Sequence, residues 1–196
     1  INADVTATFN NVTQNGEALA NGNFSGAVSI DMSTDLTSTA TGSTNISANL
    51  TFNNLVLQGM TQNGSIGISG TINSLDTDAT GSIVLTMSAF TSGDYTVNNG
   101  TVALTLNGSD MQISADMDTN DGPVDITLLV SQGASEDEIL MSTARPGTIG
   151  PYTVSLNDLS YATDSCSGSA IFSDTSGTQI EAFIDTDCMS YNLIGR

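Results

Sequence analysis

The acidic segment at residues 116–125 carries the side chains of this chain that are best suited to binding chemistry. Asp116, Asp118 and Asn120 supply oxygen atoms at alternate positions, and Asp125 follows shortly after them. Hard cations such as Ca²⁺ are bound by several carboxylate and carbonyl oxygens that converge from one loop. An EF-hand loop has glycine at its sixth position, where this chain has Asp121. The spacing predicts either a calcium site formed by Asp116, Asp118, Asn120 and Asp125 or a polar turn between two strands.

The residue types that carry most covalent and acid–base catalysis are scarce. The chain contains no Lys and no His, which excludes a Ser-His-Asp triad and a Schiff base. A pair among its 21 acidic residues could act as a glycosidase acid and base, but most such pairs are solvated surface groups. The segment Asp174-Thr175-Ser176-Gly177 matches the aspartic-protease sequence Asp-Thr-Gly only loosely, and a turn explains it better. We therefore expect no enzymatic activity, and no cofactor other than calcium.

The formal net charge of −19 limits the classes of partner. Proteins that bind nucleic acids or anionic membranes present clustered Lys and Arg, whereas this chain has only Arg145 and Arg196. We expect no nucleic-acid partner. Basic proteins, divalent cations, neutral glycans and identical copies at high ionic strength remain possible partners.

Cys166 and Cys188 are the only two cysteines. An even cysteine count in a chain of secreted composition predicts a disulfide between them, and two buried free thiols are the alternative. No apolar run approaches the roughly 20 residues of a membrane-spanning helix, so we expect no such segment. The chain begins at Ile1 with polar alternation, which is typical of a mature form without its targeting segment. These features favour an extracellular or cell-surface location.

Apolar and polar residues alternate along most of the chain, which is the pattern of strands with one apolar face and one wet face. The alternation predicts an all-β fold of antiparallel meander strands, stacked as a β-sandwich or as sandwich-like sheets, with no significant helix. The apolar positions include Phe24 to Met32, Ile46 to Phe52, Ile83 to Ala89, Val102 to Leu106, Met111 to Met117 and Val124 to Val130.

Turns and boundaries follow from Asn-Gly pairs and from proline. Asn-Gly tolerates the positive φ angles of two-residue hairpins, which predicts turns at 15–16, 21–22, 63–64, 99–100 and 107–108. Residues 132–138 are loop-like and acidic, and a proline-containing stretch follows at 145–151. We therefore expect an N-terminal β-repeat sheet region over 1–131 and a C-terminal β lobe with the cysteine pair over 139–196, or one continuous domain.

The first strand, Ala3 to Phe9, carries Asp4 as its only charged residue. Proteins usually protect the unpaired edge of a sheet with charged side chains, especially Lys, and this chain has none. We expect the N-terminal strand, or the edge on which it lies, to contact a different polypeptide. A first strand paired on both sides within its own sheet is the alternative.

The chain resembles the Thr/Ser/Asn-rich β-repeat surface proteins of environmental Gram-negative bacteria, many of which are predicted lipoproteins. The C-terminal series Leu159-Ser160-Tyr161, Cys166-Ser167-Gly168, Asp174, Gly177 and Cys188 is similar to the closing cysteine-paired hairpin of such proteins. Bacteria of this kind include metal reducers with extracellular filaments, some of which are multihaem cytochrome polymers. The resemblance implies a partner that is either the chain itself or a filament core of that kind.

Together these observations predict a non-enzymatic extracellular structural protein that is a subunit of, or an accessory on, a cell-surface filament or layer. The alternative is an adhesin or a glycan-binding or surface-binding module, with or without stabilisation by calcium. A binding module should carry exposed aromatic side chains on one face. The chain has only four Tyr and six Phe, and most Phe fall on the apolar positions of strands.

Overall fold

The computed structural model describes residues 1–14, 17–35, 41–57, 60–75, 78–135, 137–162, 165–184 and 191–195. These residues form strands, turns and short loops, and no helix occurs among them. The all-β antiparallel meander predicted from the alternation is therefore confirmed. The strands are β1 (Asn2–Gln14), β2 (Glu17–Asp35), β3 (Thr41–Leu57), β4 (Met60–Leu75), β5 (Asp78–Ser92), β6 (Tyr95–Asn107), β7 (Asp110–Thr119), β8 (Gly122–Gln132), β9 (Ile139–Thr143), β10 (Gly147–Ile149), β11 (Tyr152–Ala162), β12 (Ser165–Ser173), β13 (Gln179–Ile184) and β14 (Tyr191–Gly195).

All fourteen strands belong to one hydrogen-bonded sheet. Strands β1 to β8 follow one another in sequence order, then β10 to β14 continue the sheet, and every pair is antiparallel. The short strand β9 pairs with both β8 and β11 beside β10. The predicted boundary at 132–138 thus falls between two strands that are hydrogen-bonded to each other.

The register brings apolar side chains into rows across the sheet. One such row, which we call the central row, crosses β2 to β8 through paired positions. Because side chains alternate between the two faces of a strand, paired positions share a face, and this face is apolar. The central row consists of Val28, Ala48, Ile68, Leu85, Val102, Ala115 and Ile126.

The apolar face is only half buried. Each residue of the central row has intermediate exposure. Among the described residues, the buried apolar side chains are Ala20, Leu55, Val97, Val154 and Cys166. The accessible surface is 11913 Å², against about 8,700 Å² expected for a compact monomer of this mass. All described strands belong to one hydrogen-bonded sheet whose apolar face is only partly covered, and this arrangement explains the excess.

A line of β-bulges crosses the N-terminal half of the sheet. The register shifts at neighbouring points in all the pairings from β1–β2 to β4–β5, and again at β6–β7. Next to this line lie four phenylalanine rings. Their centroids are 6.3 Å apart for Phe9 and Phe24, 6.4 Å for Phe24 and Phe52, and 5.7 Å for Phe52 and Phe90. Bulges bend strands and increase their twist, so this line sets the curvature of the sheet.

The structure corrects the turn prediction at three of the five Asn-Gly pairs. Asn107-Gly108 does lie at a hairpin, between β6 and β7, and residues 15–16 fall outside the described residues. The pairs at 21–22, 63–64 and 99–100, however, lie inside β2, β4 and β6. Gly22 and Gly64 have φ angles of 106° and 95° and face bulged residues of the next strand. The positive φ that Asn-Gly tolerates is used there opposite a bulge instead of in a turn.

Candidate functional site

The predicted calcium residues lie on the β7–β8 hairpin, and the structure brings only two of them to opposite positions. Asp116 of β7 is the cross-strand partner of Asp125 of β8. Asp118 lies opposite Pro123, and Asn120 is in the turn that joins the two strands. Two carboxylates directly opposite one another repel. A cation between them would relieve that repulsion.

Arg145 supplies a positive charge at this position. Its Nη2 donates hydrogen bonds to Oδ1 and Oδ2 of Asp125, at 3.0 and 2.9 Å. Both side chains are well exposed, at 62% for Arg145 and 47% for Asp125. An exposed ion pair of this kind contributes roughly 0.2–1 kcal/mol. Arg145 therefore offsets the repulsion between Asp116 and Asp125 and occupies a carboxylate that calcium would need.

The other two predicted ligands have structural hydrogen bonds. Asn120 accepts a bond from the N–H of Thr96 at 2.9 Å and donates one to the carbonyl of Asp94 at 3.0 Å. Its amide thereby joins the β7–β8 turn to the β5–β6 hairpin. Asp118 accepts a bond from the Asn98 side chain at 3.1 Å. Among the described residues, no group of three or more His, Cys, Asp or Glu side chains is placed to hold a metal ion. Calcium binding at the four residues stays a prediction.

The Asp174 segment forms the turn between β12 and β13. One carboxylate oxygen, Oδ1, accepts bonds from the N–H and hydroxyl of Ser176 and from the N–H of Thr178, at 2.7 to 2.9 Å. The Ser176 hydroxyl, followed by the Thr178 N–H, lowers the pKa of Asp174. Because the hydrogen bonds within the turn favour the ionised form of Asp174, this carboxylate in return stabilises the turn. The turn interpretation of this segment is therefore confirmed.

Two carboxylates that the sequence did not single out also have structural contacts. Glu138 accepts bonds from the Ser160 hydroxyl and the Ala134 N–H, both at 2.7 Å. The Ser160 bond is the main cause of a lowered Glu138 pKa. Glu181 is buried, and its Oε1 accepts a bond of 2.7 Å from the Ser169 hydroxyl. The contacts of Glu138 with Ser160 and of Glu181 with Ser169 depend on strand register, and no local sequence motif predicts them.

Cys166 is buried in β12 with 3% of its surface exposed. No free thiol is found in the part of the chain that the structure describes. Cys188 lies outside the described residues, so the pairing of Cys166 with Cys188 stays a prediction.

The apolar face is one surface available for an interaction. Among the described side chains of the first eight strands, none on this face is charged. Acidic side chains described within β1 to β8 occupy positions of the opposite, polar face, as alternation and register show. They are Asp4, Asp31, Asp110, Asp116, Asp118 and Asp125. The sheet therefore separates an acidic face from an apolar one.

Toward β14 the apolar face carries several large exposed side chains beside the buried Val154. Five large side chains on paired or adjacent positions of β10 to β14 form what we call the C-terminal apolar patch. They are Ile149, Tyr152, Phe172, Ile180 and Leu193, with 37% to 61% of their surface exposed. Alternation predicts an apolar face that stacked sheets would cover, whereas these five side chains are exposed.

The edge of the sheet is a second candidate surface. Strand β1 is the first strand in the sheet order, and β2 is its only neighbour among the described strands. The Ile1 ammonium donates to the carbonyl of Ile30, and the Ile30 N–H donates to the carbonyl of Ile1. Because backbone groups alternate along an antiparallel strand, the N–H groups of Asp4, Thr6 and Thr8 point away from β2. This edge can accept another strand.

The polar face has a shallow groove of about 420 Å³ beside the β6–β7 hairpin. Its lining includes hydroxyl and amide groups of Thr105, Gln112 and Ser142 together with Leu129. Such groups can form hydrogen bonds with a neutral ligand, but no aromatic side chain lines the groove.

No family model matches the chain, and neither a curated protein nor a solved structure matches it. No helix long and apolar enough to span a membrane is present in the described part of the chain.

Proposed function

We propose that this protein is a non-enzymatic extracellular structural protein, a subunit of or an accessory on a cell-surface filament or layer. The observation that carries the proposal is the unprotected edge at β1. This strand has 13 residues, Asp4 is its only charged residue, and its outward backbone groups have no partner strand in the described sheet. Edge strands of this kind readily add a strand from another chain.

The proposed partner of β1 is another protein chain, either a second copy or the core of a surface filament such as a multihaem cytochrome polymer. The high net negative charge makes nucleic acid an unfavourable partner. An extracellular location is supported by the even number of cysteines in a chain rich in Ser, Thr and Asn.

A non-enzymatic role is supported by how the carboxylates are used. Asp174 accepts hydrogen bonds within its own turn, and Asp125 pairs with Arg145. Glu138 accepts a bond from Ser160, which joins the loop before β9 to β11. Each of these bonds stabilises the sheet. A glycosidase needs two carboxyl groups about 5 to 10 Å apart across a substrate cleft, and one of the two facing carboxylates here, Asp125, is paired with Arg145.

An adhesin or glycan-binding module, with or without stabilisation by calcium, is the second candidate. The groove lined by Thr105, Gln112 and Ser142 favours it, because hydroxyl and amide groups suit a neutral glycan. We place it second because sugar sites usually add an aromatic platform, and this groove has none in its lining.

The proposal is tested by substituting Thr6, whose N–H points outward. Thr6→Pro removes that N–H while the pairing of β1 with β2 retains its donors. Thr6→Ala is the matched control, because it keeps the N–H. Both variants are produced in the native host and examined by immunogold electron microscopy.

We expect wild type and Thr6→Ala to label regular filaments or layers, and Thr6→Pro to be dispersed although its circular dichroism is unchanged. Wild-type protein found only as dispersed molecules would contradict the structural function and favour the binding module. Assembly of Thr6→Pro would show that the β1 edge is not the contact.

A further inference from the structure

We propose that the apolar face of the sheet is covered by the apolar face of a second copy of this chain, which forms a sandwich from two molecules. The inference deepens the proposed structural function, on which it rests for its biological context. It concerns the face of the sheet, whereas the edge contact of β1 lies in the plane of the sheet.

The first argument is area. The accessible surface exceeds that of a compact monomer of the same mass by about 3,000 Å². A specific interface buries about 800 Å² of each partner, and obligate homodimers bury more. The central row remains half buried over seven strands, so this apolar face is not covered as the core of a domain is. A face-to-face dimer would cover this excess.

The second argument is charge. A molecule with a net charge of −19 repels its own copies unless the charges are kept apart. The described acidic side chains of β1 to β8 lie on the polar face, so a face-to-face dimer directs both acidic faces outward. Stacked sheets are about 10 Å apart, and the outward side chains add to that separation. The two sets of charges are then farther apart than the screening length of about 8 Å at physiological salt.

The third argument is the continuity of the apolar face. The C-terminal apolar patch extends the same face to β14, with Tyr152 at 49% and Leu193 at 61% exposure. Two-fold pairing requires one surface that complements itself, and a nearly uncharged sheet face meets that requirement. Packing of two sheets is the usual way in which an amphipathic sheet covers its apolar face.

The test uses two alanines on adjacent strands and opposite faces. Ala115 of β7 belongs to the central row, whereas Ala103 of β6 is on the polar face, and both are half buried. Sedimentation velocity of purified full-length protein is compared for wild type, Ala115→Glu and Ala103→Glu. We expect a wild-type dimer at micromolar concentration, a dissociation constant at least tenfold higher for Ala115→Glu, and no change for Ala103→Glu.

A second measurement decides the question if Ala115→Glu fails to fold. The chain has no Trp, so a single introduced Trp reports its own surroundings. Leu104 is on the apolar face and Thr105 is on the polar face of the same strand. We expect the emission of Leu104→Trp to move to longer wavelength when the protein is diluted, and that of Thr105→Trp to stay constant.

Three results would overturn the inference. They are a monomeric wild type whose Leu104→Trp emission is independent of concentration, equal weakening by both glutamate variants, and a dimer that Thr6→Pro abolishes but Ala115→Glu does not. The last result would identify an edge dimer. Because the dimer is measured with purified protein and the structural function in native assemblies, either can fail while the other stands.

Discussion

The backbone of Gly64 lies so close to Ala89 that a Cβ added at position 64 would be 2.3 Å from the Ala89 carbonyl oxygen. Gly64 has a φ of 95°, and Ala89, the bulged residue of β5, has a φ of 46°. The same arrangement recurs where Gly22 faces Asn54. In the C-terminal part it recurs where Gly168 faces Asp158. A glycine with positive φ opposite a bulged residue therefore recurs in this sheet.

Gly64→Ala should destabilise the protein strongly. The methyl group would meet backbone atoms that cannot rotate away, at a φ unfavourable for alanine. We expect a loss of about 3 kcal/mol in the free energy of unfolding, measured by urea denaturation. Gly67→Ala in the same strand is the control, because its Cβ would meet mainly the Thr86 hydroxyl, which can turn aside. Equal losses for the two variants would contradict the role assigned to the bulge.

The bulge line also shows what could be read from the sequence. Alternation identified the apolar face correctly, because side-chain direction in a strand is a local property. The Asn-Gly pairs at 21–22 and 63–64 do not form the turns that the dipeptide predicts, because they lie inside β2 and β4. A positive φ serves a hairpin turn and a position opposite a bulge equally well, so the dipeptide alone does not distinguish them. Phe9-Asn10-Asn11-Val12 and Phe52-Asn53-Asn54-Leu55 carried the better signal, since each breaks the alternation by one residue.

Contacts between distant parts of the chain were beyond sequence reasoning. The ion pair of Arg145 with Asp125 depends on where the segment before β10 returns to β8. The use of Asn120 to join two hairpins depends on the register of β6 against β7. Whether an amphipathic sheet folds back on itself or stays open depends on tertiary packing, which alternation does not encode.

Arg145→Gln should destabilise the protein slightly and in a salt-dependent way. Removal of the guanidinium leaves Asp116 and Asp125 facing each other without a counter-charge. We expect a loss below about 1 kcal/mol at low ionic strength that disappears in molar salt, because both side chains are exposed and screened. Asp116→Asn should restore part of that loss in the double variant. A loss that is independent of salt and of Asp116 would contradict the electrostatic explanation.

Calcium, if it binds the β7–β8 hairpin, should compete with Arg145. The cation needs the carboxylates of Asp116 and Asp125, and Arg145 already bonds both oxygens of Asp125. We expect millimolar calcium to raise the melting temperature of Arg145→Gln more than that of wild type, by mass action. Asp118→Ala should reduce the rise. Sodium at matched ionic strength is the control, and identical curves with calcium and chelator in both proteins would leave only a polar turn.

The pairing of Cys166 with Cys188 can be measured by intact mass after thiol alkylation of the unreduced protein. A disulfide across a loop of this length should contribute about 3 kcal/mol by restricting the unfolded chain. We expect no alkylated cysteine without reductant and two after reduction and unfolding. The buried position of Cys166 can shield a free thiol, so alkylation is carried out in denaturant. Two alkylated cysteines before reduction would disprove the bond.

The turn at Asp174 should make stability depend on pH in the acid range. Its hydrogen bonds from Ser176 and Thr178 favour the ionised carboxylate and lower its pKa in the folded state. The unfolded chain keeps the ordinary aspartate pKa of about 3.9. The stabilisation is therefore complete above that ordinary pKa and is lost as the pH falls through the lowered folded-state value.

Asp174→Asn removes the charge and keeps a side-chain oxygen as an acceptor, so it isolates the contribution of ionisation. We expect wild type to melt at a higher temperature than Asp174→Asn at pH 7, and the difference to shrink as the pH falls below about 4. Asp121→Asn, in the exposed β7–β8 turn, is the control. In that turn the backbone N–H of residue 121 donates to the Thr119 hydroxyl, and the substitution leaves this bond in place. A difference between wild type and Asp174→Asn that stays constant down to pH 2 would show that the turn does not depend on the charge of Asp174.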